Sequence, residues 1–502
     1  MSTSQTLYGQ YRDLTQKAAD LNNAAAVLGW DQETYMPASG FAFRGRQLAT
    51  LATQAHEIVT SDAYGNLLQD LAAKADLTED EAHNVRLSFE DYDKNKKLPP
   101  EFVDELTNAS SICLNAWMTA RKENDFSRYA PELDKMIALK RQQADFYGYE
   151  EHPYNALMDD YEKGATVGML DAVFNQVKDK FPSLLKQISS SQQVEDGFFN
   201  HFYPQQQQWN LSLLLLRSIG YNFECGRQDM SEHPFTTSFS PKDVRITTRV
   251  NENDLASLLW SSIHEGGHAL YEQGLPEAQY GLPLGAATSL SIHESQSRLW
   301  ENCIGRSLPM WKHFYPIYQK VFAEQLSGVT TEGFYKAMNK VQPSLVRTEA
   351  DELTYHFHVL IRYEIEKLLI GNKLTTADLP AFWNQQYEQY LGITPPDDLQ
   401  GVLQDVHWSH GSFGYFPTYS LGSFYAAQFY EQALKEISGL EAQLEVGDFK
   451  QLLAWLRTNI HQYGRRYRSE ELCQKITGRG LDPDAFIRYA QQKYAGIYGF
   501  SS

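Results

Sequence analysis

Seven residues near the start of the chain, Leu7, Tyr11, Leu14, Ala18, Leu21, Ala25 and Leu28, follow one another at alternating spacings of four and three. Such spacing lays an apolar stripe along one side of a helix about three heptads long. A helix of this kind must bury its stripe against a neighbour, and a bundle partner within the chain is the simpler solution than a dimerising coiled coil. Similar amphipathic stretches recur near residues 40–75, 100–120, 131–147, 168–190, 309–327 and 423–437. The 32 Gly and 19 Pro among 502 residues, about a tenth, are too few for an all-β chain. The fold predicted is mainly α.

One segment breaks the pattern. Asp243-Val244-Arg245-Ile246-Thr247-Thr248-Arg249-Val250 alternates with period two. Val244, Ile246 and Val250 fall on one face; Asp243, Arg245, Thr247 and Arg249 fall on the other. It reads as a strand of a small sheet, running directly into a further helix. No Ser/Gly tract, low-complexity linker or repeat divides the chain, and Pro395-Pro396-Asp397-Asp398 is a turn signal. Length alone allows about three domains. The reading is nevertheless one two-lobed unit over residues 1–502, with a helical N-terminal region at about 1–120 and a core at about 230–420.

A chain this long buries about three quarters of its unfolded surface, so a metal is not needed to hold it together. The net charge of −19 disfavours nucleic acid and anionic membrane as partners. The longest aliphatic run, Leu213 to Leu216, is far too short to cross a bilayer. Cys113, Cys225, Cys303 and Cys473 are scattered without a CxxC spacing, as in a reducing compartment. Met1-Ser2-Thr3-Ser4-Gln5 shows no basic stretch leading into an apolar core. A cytoplasmic protein is expected.

The most informative helix carries His264-Glu265-Gly266-Gly267-His268. Residues i and i+4 of a helix are offset by 40° and about 6 Å of rise, so two imidazoles can close on one Zn²⁺. Glu265 borders the same face, where it can take a proton from an activated water. HExxH by itself arises by chance in about a few per cent of chains of this length, and the apolar Leu255, Leu258, Leu259 and Ile263 fit any buried helix. Two adjacent glycines inside a helix cost about 1 kcal/mol each relative to alanine. Their presence implies close approach of another backbone or of a substrate. A second helix, containing Ser291-Ile292-His293-Glu294-Ser295-Gln296, follows a Gly/Pro-containing connection. Glu294 completes a two-His, one-Glu set with an open position for water. His293 competes for the same place: neighbours on a helix lie 100° apart, so only one of the two faces the metal, and spacing does not choose between them.

These residues resemble the M32 metallocarboxypeptidases, the thermostable carboxypeptidase family. Trp30-Asp31-Gln32-Glu33-Thr34-Tyr35-Met36-Pro37 is similar to the family's WDxxTxMP segment, and His233-Pro234-Phe235 to HPF. Asp243, Arg245 and Thr247 match DxRxT, and His293-Glu294-Ser295-Gln296 matches HESQ. Arg347, Ala350 and Asp351 fit IRxxAD with Val346 for Ile; Gly401, Gln404, Asp405, His407 and Trp408 fit GxxQDxHW. The resemblance spans nearly the whole chain. It implies a large helical peptidase fold with a deep central groove and a small β-sheet, a homodimer, one catalytic Zn²⁺ per chain with Co²⁺ possible in its place, and Glu294 as third ligand beside His264 and His268.

A carboxypeptidase needs an activated water, donors for the scissile carbonyl and a cation for the terminal carboxylate. Glu265 is the base. Arg245 and Arg347 are the candidates for the carboxylate, because a guanidinium grips it with two parallel hydrogen bonds. Asp243 and Thr247 are placed to support Arg245, and Asp351, one turn on, to support Arg347; structural ion pairs are the competing explanation. Around the carbonyl, His410 and Tyr419 are favoured over His407 and Tyr415 as oxyanion donors, the latter two lining the substrate site. His233 reads as a wall of the groove. The substrate class is peptides with a free C-terminal carboxylate. An oligoendopeptidase or dipeptidyl carboxypeptidase uses the same metal helix, and a helical binding scaffold with a vestigial metal site is the non-enzymatic alternative.

Overall fold

The computed structural model describes residues 3–501; Met1 and Ser2, part of the segment read for a leader, lie outside it. Helices make up 68% of the chain, which leaves the sheet as a local insert. Among the described residues no helix is long and apolar enough to cross a membrane.

The chain forms two compact units and passes between them five times. The first holds the residues up to 96, 196–338 and 429–480; the second holds 97–195, 339–428 and the residues from 481 onward. The boundary read near residue 120 falls inside the helix Pro100–Glu123, and the stretch 230–420 is shared between the units.

In the first unit the striped segment is the helix Ser4–Thr34, opened by Thr3, whose hydroxyl accepts from the Thr6 amide. It is longer than three heptads, and of the stripe only Tyr11 and Ala18 are fully buried. The reason is its partner. The helix Phe41–Thr60 packs along it but buries only Ala55, so the rest of the stripe stays partly open, while Tyr11 is covered from another side by Tyr64, Leu68 and Leu71. The amphipathic stretch read at 40–75 breaks at Ser61, which caps the next helix, Asp62–Ala72, by accepting from the Tyr64 amide. Stretches at 100–120, 131–147 and 168–190 become the helices Pro100–Glu123, Ala130–Tyr147 and Val167–Ser189 of the second unit.

The sheet belongs to the first unit and has the order β1 (Gln228–Met230), β3 (Asp243–Thr248), β2 (Phe235–Ser240). β3 is the predicted strand. It pairs parallel with β1 and antiparallel with β2, with a register shift between Ser238 and Ser240. Val244 and Ile246 are buried as the alternation requires, but the strand ends at Thr248, so Val250 is not part of it. As the central strand, β3 also buries Thr247 and Thr248, the expected outcome when both faces are covered. Asp254 then caps the helix Leu255–Glu272, accepting from the Ala256 and Ser257 amides.

The second unit is built around the helix Tyr355–Ile370, which is buried on nearly every side. It carries Arg362 and Glu366 into the interior, both essentially solvent-free. Buried charges of this kind persist only where every polar atom finds a partner.

Candidate metal centre

The helix Leu255–Glu272 carries the HExxH sequence, and the helix Leu290–Arg298 lies against it. The two glycines explain how. A Cβ on Gly267 would stand 2.7 Å from the Gln296 carbonyl oxygen and from Ser297 Cα. The backbone of the second helix therefore occupies the space a side chain would fill. Gly266 instead faces the Leu216 side chain, at 2.7 Å from Cδ2. Of the two causes inferred for the glycines, close approach of a backbone is the one observed at Gly267.

This contact brings three side chains together. His264 Nε2 lies 3.8 Å and His268 Nε2 3.4 Å from Glu294 Oε2. Ligands on a tetrahedral Zn²⁺ with bonds of about 2.0–2.1 Å stand about 3.4 Å apart, so the donor set fits such an ion. His264, His268 and Glu294 are also the one His/Cys/Asp/Glu group among the described residues with metal-ligand proximity.

The surrounding hydrogen bonds prepare each donor. His264 Nδ1 faces Glu301 Oε2 at 2.9 Å, an acceptor-only group, which assigns the ring proton to Nδ1 and leaves the Nε2 lone pair for a metal. His268 is prepared through a relay. Its Nδ1 lies 2.6 Å from His293 Nδ1, and His293 Nε2 lies 2.8 Å from Glu272 Oε1. Glu272 can only accept, so His293 donates from Nε2, and its Nδ1 then accepts from His268. His293, the competitor for the third ligand position, thus serves the second ligand. Glu294 is oriented by Arg298, whose Nε donates to Oε1 at 2.7 Å, and by Ser297, whose hydroxyl donates to Oε2 at 3.1 Å; Oε2 is also the oxygen that faces the imidazoles. Beyond Arg298 the helix continues as a π-turn, Leu299–Gly305, which holds Glu301 between Arg298 and Arg306.

The carboxylates and imidazoles of the group shift one another. Burial alone would raise Glu294 and Glu301, yet Arg298 and the neighbouring imidazoles hold both well below the usual carboxylate range. His268 is pushed down to about 4 by burial and by His293, so it is neutral at pH 7, the form that binds a metal. Glu265 is displaced upward, chiefly by burial. Its Oε2 accepts from Thr236 Oγ1 of β2 at 2.7 Å, with the same hydroxyl 3.0 Å from the Glu265 carbonyl. A cavity of about 650 Å³ opens beside Thr236 and Glu272, walled by β2 and by the first helix.

Arg245 and Arg347 each grip an aspartate. Arg245 holds both oxygens of Asp243, at 2.9 and 2.8 Å, and packs against the rings of Trp30 (4.4 Å) and Phe239 (5.0 Å). The WDxxTxMP segment is thereby tied to the sheet, a link reinforced by Tyr35 Oη on Asp229 (2.5 Å). Support for Arg347 comes from a different residue than the sequence indicated. Asp351 is not its partner; its carboxylate accepts from the Gln342, Leu353 and Thr354 amides and the Thr354 hydroxyl. Residues 347–349 form a 3-10 turn rather than an α-helix, so the i,i+4 geometry is missing. Arg347 pairs instead with Asp405 Oδ1, through Nε (3.0 Å) and Nη2 (2.8 Å), and with Tyr355 Oη.

Arg347, His407, His410, Tyr415 and Tyr419 all lie in the second unit, whereas the candidate ligands His264, His268 and Glu294 lie in the first, as do Glu265, Arg245 and His233. His407 Nε2 is 3.3 Å from Tyr419 Oη, and the His407, Tyr415 and Tyr419 rings pack on one another. Burial and the nearby Arg347 and Arg362 push His407 down to about 4 despite Asp405. His410 stands apart, exposed at the end of the 3-10 turn His407–His410. His233 is exposed between β1 and β2, where its carbonyl accepts from Ser231.

Glu272, Arg298 and Glu301 escaped the sequence reading although helical spacing points to them: Glu272 is one turn after His268, and Arg298 and Glu301 are one and two turns after Glu294. Thr236, Arg362 and Glu366 carry no such signal.

Fold and site together define a mainly helical metallopeptidase. The chain belongs to the carboxypeptidase Taq (M32) metallopeptidase family, whose model matches residues 10–494. It is 39% identical to Carboxypeptidase 1 of Bacillus subtilis over 97% of this chain and 98% of that one. It is likewise 39% identical to Thermostable carboxypeptidase 1 of Thermus thermophilus, over 99% of this chain and all of the other. The crystal structure of an M32 carboxypeptidase from Deinococcus radiodurans superposes with a TM-score of 0.97 at 39% identity, covering 98% of this chain and 100% of that one. The protein is a metallocarboxypeptidase, a hydrolase of peptide bonds that depends on a divalent metal.

Proposed function

We propose that the metal is zinc, held by His264, His268 and Glu294, and that Glu265 is the general base in removal of C-terminal residues from peptides. The observation that carries this reading is the convergence of two Nε2 lone pairs on Glu294 Oε2, each imidazole fixed from behind by an acceptor. Bound there, Zn²⁺ supplies Lewis-acid polarisation of the scissile carbonyl and a lower pKa for water; Co²⁺ suits the same donors.

The protein groups do the rest. Thr236 holds Glu265 through Oε2, and the carboxylate so held takes the proton of the attacking water and returns it to the leaving amine. Burial, which raises the affinity of Glu265 for that proton, suits it to both steps. Arg347 is assigned the terminal carboxylate. Its hydrogen bonds use three of the five guanidinium N–H groups and leave one on each terminal nitrogen. Arg245, with Nε and Nη2 on Asp243 and its guanidinium against the Trp30 and Phe239 rings, is assigned to the wall of the substrate site with His233. His410 and Tyr419 donate to the developing oxyanion, and His407 and Tyr415 flank the substrate. By family resemblance the enzyme works as a homodimer, and the four scattered cysteines suit the reducing cytoplasm.

The test combines metal analysis with release of the C-terminal residue before and after chelation. Activity lost with the metal and restored by Zn²⁺ is expected. Full activity in the metal-free protein would overturn the reading. N-blocked peptides with free and amidated C-termini separate it from an oligoendopeptidase: the amide is cleaved far more slowly by a carboxypeptidase, and at the same rate by an endopeptidase.

A further inference from the structure

Glu366, on the central helix of the second unit, belongs to none of the motifs, yet its buried carboxylate collects three donors. Tyr154 Oη donates to Oε2 at 2.5 Å, the Gly414 amide donates to Oε2 at 2.9 Å, and Trp408 Nε1 donates to Oε1 at 2.7 Å. Trp408 and Gly414 stand at the two ends of one irregular segment. Between them the chain makes the 3-10 turn carrying His410, then turns through Gly411 at φ +72° and Gly414 at φ +99°. Only glycine takes such angles readily. A Cβ on Gly414 would also lie 2.9 Å from Met158 backbone atoms, so the segment is pressed close to its support.

The same helix holds the preceding residues. Arg362, one turn before Glu366, donates to Asp405 Oδ2 at 2.6 Å and to Gln404 Oε1 at 2.8 Å. One cation and one carboxylate at i and i+4 thus anchor residues 404, 405, 408 and 414. In its ionised form Glu366 offers acceptors alone to all three donors, whereas an amide would turn its NH₂ toward the donors on one oxygen. Burying a carboxylate carries a desolvation penalty that an apolar core side chain avoids, so filling space is not its only task.

We propose that Glu366 is a positioning residue, fixing both ends of the segment 408–414 so that His410 is held in its oxyanion-binding geometry. The inference rests on the oxyanion role assigned above to His410. Displacement of a reacting group by about 1 Å costs about 100-fold in rate, which sets the scale of the effect.

The test is a double-mutant cycle of Glu366→Gln and His410→Ala in the metal-loaded enzyme. Glu366→Gln is expected to lower kcat about 10- to 100-fold with KM within about threefold and metal content unchanged. In the His410→Ala background it should cost nothing further. A merely structural role would lower folded fraction and metal-loaded enzyme without this kcat-only, non-additive signature. If Glu366→Gln does not fold, Trp408→Phe and Tyr154→Phe, each removing one donor, take its place in the cycle. Wild-type kcat in a folded Glu366→Gln protein, or losses that multiply with those of His410→Ala, would overturn the proposal while leaving the oxyanion role intact. Wild-type kcat in His410→Ala would overturn the oxyanion role and the proposal with it.

Discussion

Glu265 and Thr236 make the smallest unit whose chemistry can be tested alone. Glu265→Gln keeps the shape and the metal ligands but cannot move a proton, so kcat should fall by about 10²- to 10⁴-fold with metal content unchanged. Steady-state kinetics beside metal analysis check it, and near-wild-type turnover would remove Glu265 from its role. Arg347 is a harder residue to read, because it serves Asp405 as well as any ligand. Arg347→Ala leaves Arg362 as the one guanidinium on Asp405. Loss of a partner from a buried pair costs about 3–5 kcal/mol, so a lower melting temperature is expected together with a loss of discrimination between free and amidated C-termini. Intact discrimination in the folded variant would shift the carboxylate role to Arg245.

At the scale of elements, the metal centre is a consequence of two helices in close contact. The two glycines between its histidines are not equivalent. Gly267→Ala presses on backbone that cannot yield without moving the Glu294 helix; Gly266→Ala presses on the end of a leucine side chain. Gly267→Ala should therefore weaken metal binding about tenfold or more, comparable to loss of a group that orients a ligand, and Gly266→Ala much less. Competition with a chromophoric chelator distinguishes them, and equal effects would show that the helix contact is not what sets the site. The elements also show where sequence periodicity stops informing. The stripe from Leu7 to Leu28 correctly marks a helix, but not how deeply it is buried, because burial depends on whether the neighbour covers one side or several. The break at Ser61 depends on a cap competing with continued helix, a choice made by a few hydrogen bonds.

At the scale of the molecule, two buried carboxyls in the second unit respond to pH in opposite senses. Asp405 lies between Arg347 and Arg362 and is held well below its unfolded value of about 3.9. Its contribution is present above that pH and is lost as pH falls. Glu366 is raised to about 7 by burial, which outweighs its three donors. The folded state then binds its proton more tightly than the unfolded chain, so its contribution is full below about pH 4.3 and is lost as pH rises through about 7. Between pH 5 and 8 the wild-type melting temperature should fall more steeply than that of Glu366→Gln, measured by scanning calorimetry; parallel profiles would contradict the assignment.

Helical class, the strand at 243–248 and the proximity of His264, His268 and Glu294 could all be read along the chain, the place of Glu294 through its resemblance to M32 sequences. Each is a matter of local periodicity or of a motif whose members are covalently close. The relay from Glu272 through His293 to His268, the pairing of Arg347 with Asp405 instead of Asp351, and the three donors on Glu366 were decided by the tertiary structure. Their members are separated by tens to hundreds of residues, or lie where a 3-10 turn replaces the helix that spacing assumes. A buried polar atom takes whatever partner the packing brings within reach, and packing is a property of the folded chain as a whole.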